Sequence, residues 1–372
     1  MKHLLLEAHY RILNLNISLC SDSKELLDRF DKDYEWFRRL SAPTSHNLRF
    51  MVELEGSGER FVRATGNDLD TAGPCSPSTV LHRSLMGHPS PVSCALQQIV
   101  RTLFCELTGF LVLHAAVVER AGRALVLSGP PGIGKSTLTL ALLERGFGFL
   151  SDDFCPIDRV TRQVHPFPRS VWVTDRGGAE AAATGRPGKQ PITPGRLPAA
   201  VYPSPADVSW LVCLDSGGNS GEIQLEAGLK DEGEQPFVHD MRGIDGVMLT
   251  RLSPDLAEWR IAYPAGKGLS SRVRRVIERH RDQIWNIYRS DRAHPDFDRT
   301  PALTLLAGHE AALAIMGELK QEPDFLRGGR DTVEGPGPFF AALLEILSGI
   351  ACYRLTVGRL EETVRRIEEL TA

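Results

Sequence analysis

The residue run GPPGIGKS, from Gly129 to Ser136, fits the phosphate-binding pattern G-x-x-x-x-G-K-[ST]. Glycines in such a run let the backbone turn its N–H groups inward, toward phosphate oxygens. In this pattern the lysine, here Lys135, lies near the terminal phosphates, and the hydroxyl of Ser136 is a ligand for Mg²⁺. The run therefore predicts a site for a nucleoside triphosphate with Mg²⁺. It leaves open whether the terminal phosphate passes to water, to a small molecule or to another protein.

The flanks of this run have the secondary structure that the pattern requires. An apolar stretch, RALVLS, precedes it and predicts a strand, and the stretch STLTLALLERG follows it and predicts a helix. The positive end of that helix then faces the phosphates. We therefore predict that the whole loop binds the nucleotide, through Gly129, Pro130, Pro131, Gly132, Ile133, Gly134, Lys135, Ser136 and Thr137.

Two adjacent carboxylates follow the next predicted strand, at the end of FGFLSDD. Asp152 and Asp153 can point in different directions, one toward Mg²⁺ and one toward an incoming hydroxyl, whose proton a carboxylate can accept. Asp215, at the end of the apolar stretch WLVCLD, is the alternative metal ligand. Because Asp215 stands alone before a glycine-rich turn, we expect it to end a structural strand.

His114 lies on the predicted strand that precedes the loop strand. The two strands are joined by a short turn at Ala121 and Gly122, so they are expected to pair as a hairpin. The His114 side chain can then project toward the phosphate site. A histidine on an apolar strand is also commonly a core residue, and both interpretations stay open.

Patterns along the chain divide it into three segments. Residues 1–90 combine strand-like and helical stretches without a chemical motif, which predicts a small α+β module that serves as scaffold or docking surface. Within it, residues 71–91 are rich in Pro, Gly and Ser and predict a linker. Residues 91–290 contain the phosphate loop, and residues 291–372 predict a helical C-terminal extension.

The composition restricts the classes of partner. The 372 residues include 43 Lys and Arg and 47 Asp and Glu, a net charge of −4, so no general attraction for nucleic acid or an acidic membrane is expected. No apolar run reaches the length of about 18 residues that a membrane span needs, which predicts a soluble, cytoplasmic protein. Residues 267–292 predict one basic helix. It could bind an acidic peptide or RNA, but a solvated face or a subunit contact is the simpler interpretation.

These residues together resemble the catalytic domain of the bacterial HPr kinase/phosphorylase family, over roughly residues 110–285. In that family a histidine precedes the loop lysine by about 21 positions and an aspartate follows it by about 17. His114 and Asp152 stand at those distances from Lys135, and a second acid, Asp153, follows as in the family.

Two looser matches and two departures lie further along the chain. HDMRGIDGVML matches an arginine-containing turn of the family at Arg242, and YPAGKGLSSRVRRVIE matches a helix that begins with a basic residue, here Lys267. The family's metal-binding glutamate lies in an E-x-R-G pattern, whereas this chain has VTDRGG, with Asp175 next to Arg176. The segment that contacts HPr in the family is not recognisable here.

The resemblance implies an α/β fold with a phosphoenolpyruvate-carboxykinase-like P-loop domain and a mixed sheet. It also implies an ATP- and Mg²⁺-dependent kinase that phosphorylates a serine-type hydroxyl of a protein or peptide and forms a homo-oligomer. In this interpretation Asp152 accepts the hydroxyl proton, His114 orients Asp152, and Arg242 neutralises charge in the transition state. The remaining implied ligands are Lys135 and Lys267 for the phosphates and Ser136, Asp152 and Asp153 for the metal.

Two other functions stay open at this point. Kinases related to the family also act on free amino acids such as serine, which makes a small-molecule acceptor the first alternative. The second is a regulatory NTPase or nucleotide-binding module that has no acceptor other than water. The paired acids argue against the second alternative, because a switch protein usually positions water through a glutamine or a single separate acid.

Overall fold

The fold is known from a computed structural model that describes most of the chain. The described residues are 5–41, 48–54, 61–66, 78–84, 91–107, 109–175, 188–217, 222–252, 257–289, 295–318 and 337–372. Most of the linker predicted at 71–91 lies outside these residues, and 78–84 form a strand. Arg176 is also outside them.

The described residues contain 21 strands and eight α-helices. The strands are β1 (Leu6–Ile12), β2 (Leu15–Ser21), β3 (Arg38–Arg39), β4 (Leu48–Glu53), β5 (Phe61–Gly66), β6 (Ser78–Ser84), β7 (Phe110–Leu113), β8 (Ala115–Arg120), β9 (Arg123–Ser128), β10 (Gly148–Ser151), β11 (Cys155–Asp158), β12 (Gln163–Val164), β13 (Val171–Asp175), β14 (Gly188–Ile192), β15 (Ala206–Asp215), β16 (Glu222–Leu229), β17 (Met248–Arg251), β18 (Glu258–Pro264), β19 (Ile284–Arg289), β20 (Ala302–Leu305) and β21 (Ala351–Thr356). The helices are α1 (Lys24–Tyr34), α2 (Pro91–Glu106), α3 (Lys135–Glu144), α4 (Asp231–Arg242), α5 (Lys267–Arg279), α6 (Gly308–Ile315), α7 (Gly337–Leu347) and α8 (Leu360–Thr371).

Contacts between residues divide the chain into two units. The first consists of residues 1–85, 91–216 and 295–372, and the second of residues 86–90 and 217–294. This division differs from the three segments that the sequence suggests, because the chain leaves the first unit after residue 216 and returns to it at residue 295.

The first unit begins with a six-stranded sheet in the order β3-β1-β2-β4-β5-β6. Helix α1 buries Leu26, Leu27, Phe30 and Tyr34, which recur at helical spacing along one face. These side chains share a core with α2 and with Phe167, which lies far along the chain. The N-terminal segment therefore packs into the same core as residues that follow the phosphate loop.

A second, nine-stranded sheet carries the phosphate loop. Its strand order is β10-β8-β9-β15-β12-β11-β7, with β21 paired to β15 and β20 paired to β21. Strand β15 runs parallel to both β9 and β21, and the other pairs are antiparallel. The expectation of an α/β fold with a mixed sheet is therefore confirmed.

The strand that leads into the loop is the second strand of a tight hairpin. Strands β8 and β9 pair antiparallel, and the turn residues Ala121 and Gly122 both have positive φ, 54° and 78°. Such a turn matches the twist of the two strands. Both strands are almost wholly buried, and α3 packs against β8. The predicted hairpin is therefore present, and it fixes where the loop begins.

The C-terminal segment is not only helical. Besides α6, α7 and α8 it supplies β20 and β21, and β21 inserts into the second sheet with Cys352 paired to Leu211 of β15. The prediction of a helical extension at 291–372 is corrected in this respect. Helix α8 packs on α3, where the ion pair between Arg145 and Glu361 measures 2.6 Å.

The second unit consists of a four-stranded antiparallel sheet in the order β17-β18-β16-β19, with helices α4 and α5. Helix α5 buries Val273 and Val276 and exposes the arginines between and around them. The prediction of one basic helix over 267–292 is wrong, because the helix ends at Arg279 and residues 284–289 form β19. The run IWNIY is rich in β-branched and aromatic residues, which favour a strand.

The described helices are all short. The longest, α2, has 16 residues. None of the described helices combines the length and the apolar composition that crossing a bilayer requires.

We predict that the C-terminal strand β21 contributes to the stability of the first unit. Leu355 is fully buried in β21, whereas Leu305 on the neighbouring strand β20 is 68% exposed. Leu355→Ala should lower the free energy of unfolding by about 2–5 kcal/mol, because it removes buried methyl groups and leaves a cavity. Leu305→Ala, the matched control, should change it by no more than about 0.5 kcal/mol. Urea unfolding measures both, and equal effects would contradict the role assigned to β21.

Candidate active site

The phosphate loop joins the end of β9 to the start of α3. Gly129, Gly132 and Gly134 all have positive φ, at 156°, 84° and 99°. At Gly129 a Cβ atom would also lie 2.9 Å from the backbone oxygen of Leu214 on β15, so the loop passes too close to that strand for any side chain. Strand, loop and helix follow one another in the order that the sequence motif predicts.

The lysine of the motif is buried against the loop. Lys135 is 7% exposed, and its Nζ donates hydrogen bonds to the backbone oxygens of Gly129, at 2.5 Å, and Pro130, at 3.3 Å. Because a buried ammonium needs an acceptor, a positive charge is held at the loop itself.

Asp152 is the buried member of the acid pair. It is 7% exposed, and its Oδ2 accepts a hydrogen bond of 2.7 Å from the Ser136 hydroxyl at the start of α3. Its Oδ1 is buried and has no hydrogen-bond partner among the described residues. Burial raises the pKa of Asp152 to about 7 and Asp153 adds to this, while the Ser136 hydrogen bond and the charges of Lys135 and His114 oppose it.

Asp153 lies in different surroundings. Its side chain is 39% exposed, and both of its oxygens are engaged. Oδ1 lies 3.1 Å from Nε2 of His114, and Oδ2 accepts a hydrogen bond of 2.8 Å from Nη1 of Arg169. The two adjacent carboxylates therefore have distinct environments: that of Asp152 is buried, and that of Asp153 is ion-paired and partly exposed.

His114 occupies the one-residue break between β7 and β8. Its Nδ1 lies 3.1 Å from Oε2 of Glu318, and its backbone N–H donates to the Glu318 carbonyl at 2.6 Å. His114 thus reaches the acid pair, as the sequence allows, and the carboxylate that its Nε2 contacts is that of Asp153. The prediction that His114 contacts Asp152 is corrected in its partner, because the contact is with Asp153.

These groups line one cleft of about 1020 Å³, which we call the loop cleft. Residues of the loop and of α3 form one part of its wall, and the acid pair and β13 another. The C-terminal segment adds apolar side chains to the wall. The lining of the loop cleft includes His114, Lys135, Ser136, Asp152, Asp153, Arg169, Phe297 and Leu360.

Three residues of the site are missed by the sequence argument, namely Asp33, Arg169 and Glu318. Arg169 lies in the run PFPRS, which matches no motif, and Glu318 contacts His114 across 204 positions of the chain. No local spacing connects such residues. The arginine in PFPRS follows the acid pair along the chain, but no pattern marks it as a partner of that pair.

Other residues named from the sequence are not among the contacts given above. Arg242 is the last residue of α4, and Lys267 is the first residue of α5, so both belong to the second unit. Asp175 ends β13, but its side chain is not among those described. Asp215 ends β15 and lies 3.8 Å from Arg354 of β21, which agrees with the structural role expected for it.

The acids and the loop serine supply oxygen atoms of the kind that a cation binds. The side chains of acids and histidines do not by themselves supply a full set of metal ligands. Among the described residues, no group of three or more His, Cys, Asp or Glu side chains is arranged to hold a metal ion. The unpartnered Oδ1 of Asp152 and its hydrogen bond to Ser136 are an oxygen donor set of the kind that Mg²⁺ takes, usually together with waters and phosphate oxygens. The predicted metal ligands therefore suit Mg²⁺ bound with a phosphate-bearing substrate.

Comparison with known proteins supports the resemblance over part of the chain. No protein-family model matches. Similar curated proteins are HPr kinase/phosphorylases: one from Azoarcus sp. is 27% identical over 135 residues, which are 36% of this chain and 42% of that protein. One from Aromatoleum aromaticum is 31% identical over 81 residues (22% and 26%), and one from Lachnoclostridium phytofermentans is 32% identical over 69 residues (18% and 22%). The chain thus matches less than half the length of each of these relatives, and the resemblance to HPr kinase/phosphorylases is confirmed as a partial similarity.

We predict that Asp152 lowers stability at alkaline pH. Because its pKa in the folded protein is about 7 and an ordinary aspartate has a value near 3.8, the folded state holds a proton that the unfolded chain releases. That contribution is complete below about pH 4 and is lost as the pH rises through 7. Asp152→Asn stays neutral at both pH values. The difference in free energy of unfolding between this variant and the wild type should therefore change by roughly 1–3 kcal/mol in favour of the variant from pH 5 to pH 8.

Urea unfolding at the two pH values, without nucleotide or metal, measures this gain. Asp153→Asn is the matched control. It should destabilise the protein at both pH values, because it removes the partner of the buried Arg169 guanidinium. An Asp152→Asn difference that is the same at pH 5 and pH 8 would show that Asp152 is not a buried, neutral acid.

Proposed function

We propose that this chain is an ATP-dependent kinase that transfers the γ-phosphoryl group to a serine-type hydroxyl of a protein or peptide. The observation that carries the proposal is the hydrogen bond between Asp152 and Ser136, in the same cleft as the phosphate loop and Lys135. The curated relatives that match the chain are named HPr kinase/phosphorylase, which supports phosphoryl transfer as the reaction class.

We also propose that the second sheet belongs to the phosphoenolpyruvate-carboxykinase-like type of P-loop fold. In support, the loop strand β9 lies between an antiparallel neighbour, β8, and a parallel one, β15. A wholly parallel sheet, as in Ras-like proteins, would give β9 two parallel neighbours.

The phosphates would be bound by the loop and the start of α3. The backbone N–H groups of the loop and of the first turn of α3, the positive end of that helix and the Lys135 ammonium supply positive charge for a triphosphate. Pro130 and Pro131 have no N–H to donate and only shape the loop. Ser136, Asp152 and Asp153 would hold Mg²⁺, which neutralises negative charge on the phosphates when it is bound. The buried, unpartnered oxygen of Asp152 supports this assignment.

Asp152 is the proposed proton acceptor. A general base works best when its pKa lies near the working pH, and burial raises the pKa of Asp152 to about 7 when no metal is bound. A Mg²⁺ ion on the same carboxylate would lower that pKa. The acceptor oxygen attacks the terminal phosphorus, its proton passes to Asp152, and ADP leaves. Because the transition state of such a transfer is loose, positioning and charge stabilisation supply most of the rate.

Positive charge for the transition state is assigned from the resemblance alone. We retain Arg242 for this role and Lys267 as a phosphate ligand at the first turn of α5, as the resemblance implies. Arg169 is unsuited to it, because its guanidinium already binds the carboxylates of Asp153 and Asp33.

The size of the loop cleft favours an acceptor over simple hydrolysis. Its volume of about 1020 Å³ is at the upper end of the range of about 300–1,000 Å³ for small-molecule pockets. A nucleotide therefore leaves room for part of an acceptor. A free amino acid such as serine is the second candidate acceptor, since the same space admits it.

We predict that Lys135→Ala abolishes nucleotide binding and phosphoryl transfer together, because it removes the charge nearest the terminal phosphates. Titration with a fluorescent ATP analogue and an assay with labelled ATP measure the two effects. Lys24→Ala is the control, since Lys24 is exposed on α1 and pairs only with its helix neighbour Asp28 among the contacts described for it. Wild-type affinity in Lys135→Ala would contradict the loop assignment.

We predict that Asp152→Asn binds nucleotide but loses transfer, by roughly 10²–10⁴-fold for a lost general base. Labelled ATP is incubated with a mixture of serine-containing peptides, with free serine, or with neither. Label on peptide supports the proposed kinase, label on serine supports the small-molecule kinase, and labelled inorganic phosphate alone supports an NTPase. Normal transfer by Asp152→Asn would refute the catalytic assignment.

A further inference from the structure

Arg169 joins two parts of the chain that are far apart in sequence. Its side chain is only 13% exposed. Its Nη1 donates a hydrogen bond of 2.8 Å to Asp153, and its Nη2 donates one of 2.7 Å to Asp33, which lies in the last turn of α1. One guanidinium therefore connects the acid pair to the N-terminal segment.

The guanidinium of Arg169 also lies over two aromatic rings. Its central carbon lies 4.7 Å from the ring centre of Phe154 and 5.1 Å from that of Tyr34. Each ring follows one of the bonded acids in sequence, Phe154 after Asp153 and Tyr34 after Asp33. A cation that is hydrogen-bonded through two nitrogens and lies over two rings has little rotational freedom, and a lysine cannot reproduce this geometry.

The other oxygen of Asp153 is held from the opposite end of the chain. His114 contacts it, and Glu318 binds the second nitrogen of the His114 ring. Both oxygens of Asp153 are thus held by side chains that are themselves anchored by a further carboxylate. Those two anchors, Asp33 and Glu318, lie outside the part of the chain that resembles the kinases.

We infer that Arg169 and Asp33 are positioning residues that fix the carboxylate of Asp153 for Mg²⁺, and that the end of α1 is therefore part of the active site. The inference rests on the proposed function only in its assignment of Mg²⁺ and nucleotide to the loop cleft. It gives the N-terminal segment a role in the reaction centre, beyond that of a scaffold or docking surface.

The test uses Asp33→Asn, which keeps the shape of the side chain, and Arg169→Met, which keeps its length without charge. The affinity for a fluorescent ATP analogue is measured without Mg²⁺ and across a Mg²⁺ titration. Loss of a residue that orients a metal ligand typically costs about 10–100-fold in metal affinity. Both variants should therefore need more Mg²⁺ by an amount in this range, with Arg169→Met the more affected. Asp33→Asn, which changes a residue outside the lining of the loop cleft, should keep wild-type affinity without Mg²⁺.

The controls separate positioning from folding. Asp28→Asn changes an exposed acid on the same helix and should behave as the wild type. Arg169→Lys should recover only part of the loss, because it keeps the charge but not the two-sided bonding. If Arg169→Met does not fold, Asp33→Asn still decides the question, since Asp33 is partly exposed and does not line the loop cleft.

Outcomes for this inference and for the proposed function can be told apart. An unchanged Mg²⁺ requirement in Asp33→Asn, or an equal loss of affinity with and without Mg²⁺, would overturn the positioning role even if the wild type is a kinase. A wild type that binds nucleotide with Mg²⁺ but phosphorylates no acceptor would overturn the kinase and leave the positioning role supported by the shifted titration.

Discussion

A buried carboxylate must bind either a proton or a cation, and this constraint organises the loop cleft. Asp152 is held in the interior beside Ser136, with one oxygen that no donor reaches among the described residues. Its raised pKa expresses the cost of ionising it there. The same cost makes the position favourable for Mg²⁺ or for a transferred proton, so a feature that destabilises the fold becomes the basis of the proposed chemistry.

Asp153, the second acid, is stabilised in its charged form by its partners. Asp152 and Asp153 are consecutive residues whose carboxylates repel each other when both are charged, and the contacts of Asp153 with Arg169 and His114 offset that repulsion. Removing either partner would leave unpaired charge in a partly buried place, which costs far more than a surface ion pair contributes. The acid pair thus depends on side chains from segments that carry no recognisable motif.

This dependence bears on the partial similarity to the HPr kinase/phosphorylases. The motif residues from His114 to Asp153 form the centre of the site, while Asp33, Glu318 and the apolar residues Phe297 and Leu360 surround it from the two ends of the chain. A similarity restricted to less than half of each relative therefore does not mean that the rest of this chain is unrelated to the site. The ends of the chain complete it with residues of their own.

Local sequence determined the elements that depend on neighbours along the chain. The phosphate loop is predicted by its glycine spacing, by the strand before it and by the helix after it. The helix α1 and the turn at Ala121 and Gly122 were likewise predictable from local sequence. The strands after residue 280 were not, because a short apolar run satisfies a helix and a strand alike. Only the tertiary structure decided that β21 lies beside β15, that His114 contacts Asp153 rather than Asp152, and that Arg169 reaches Asp33. Those contacts join residues far apart in the chain, and their free energy comes from burial and charge pairing in the packed fold, which no local pattern encodes.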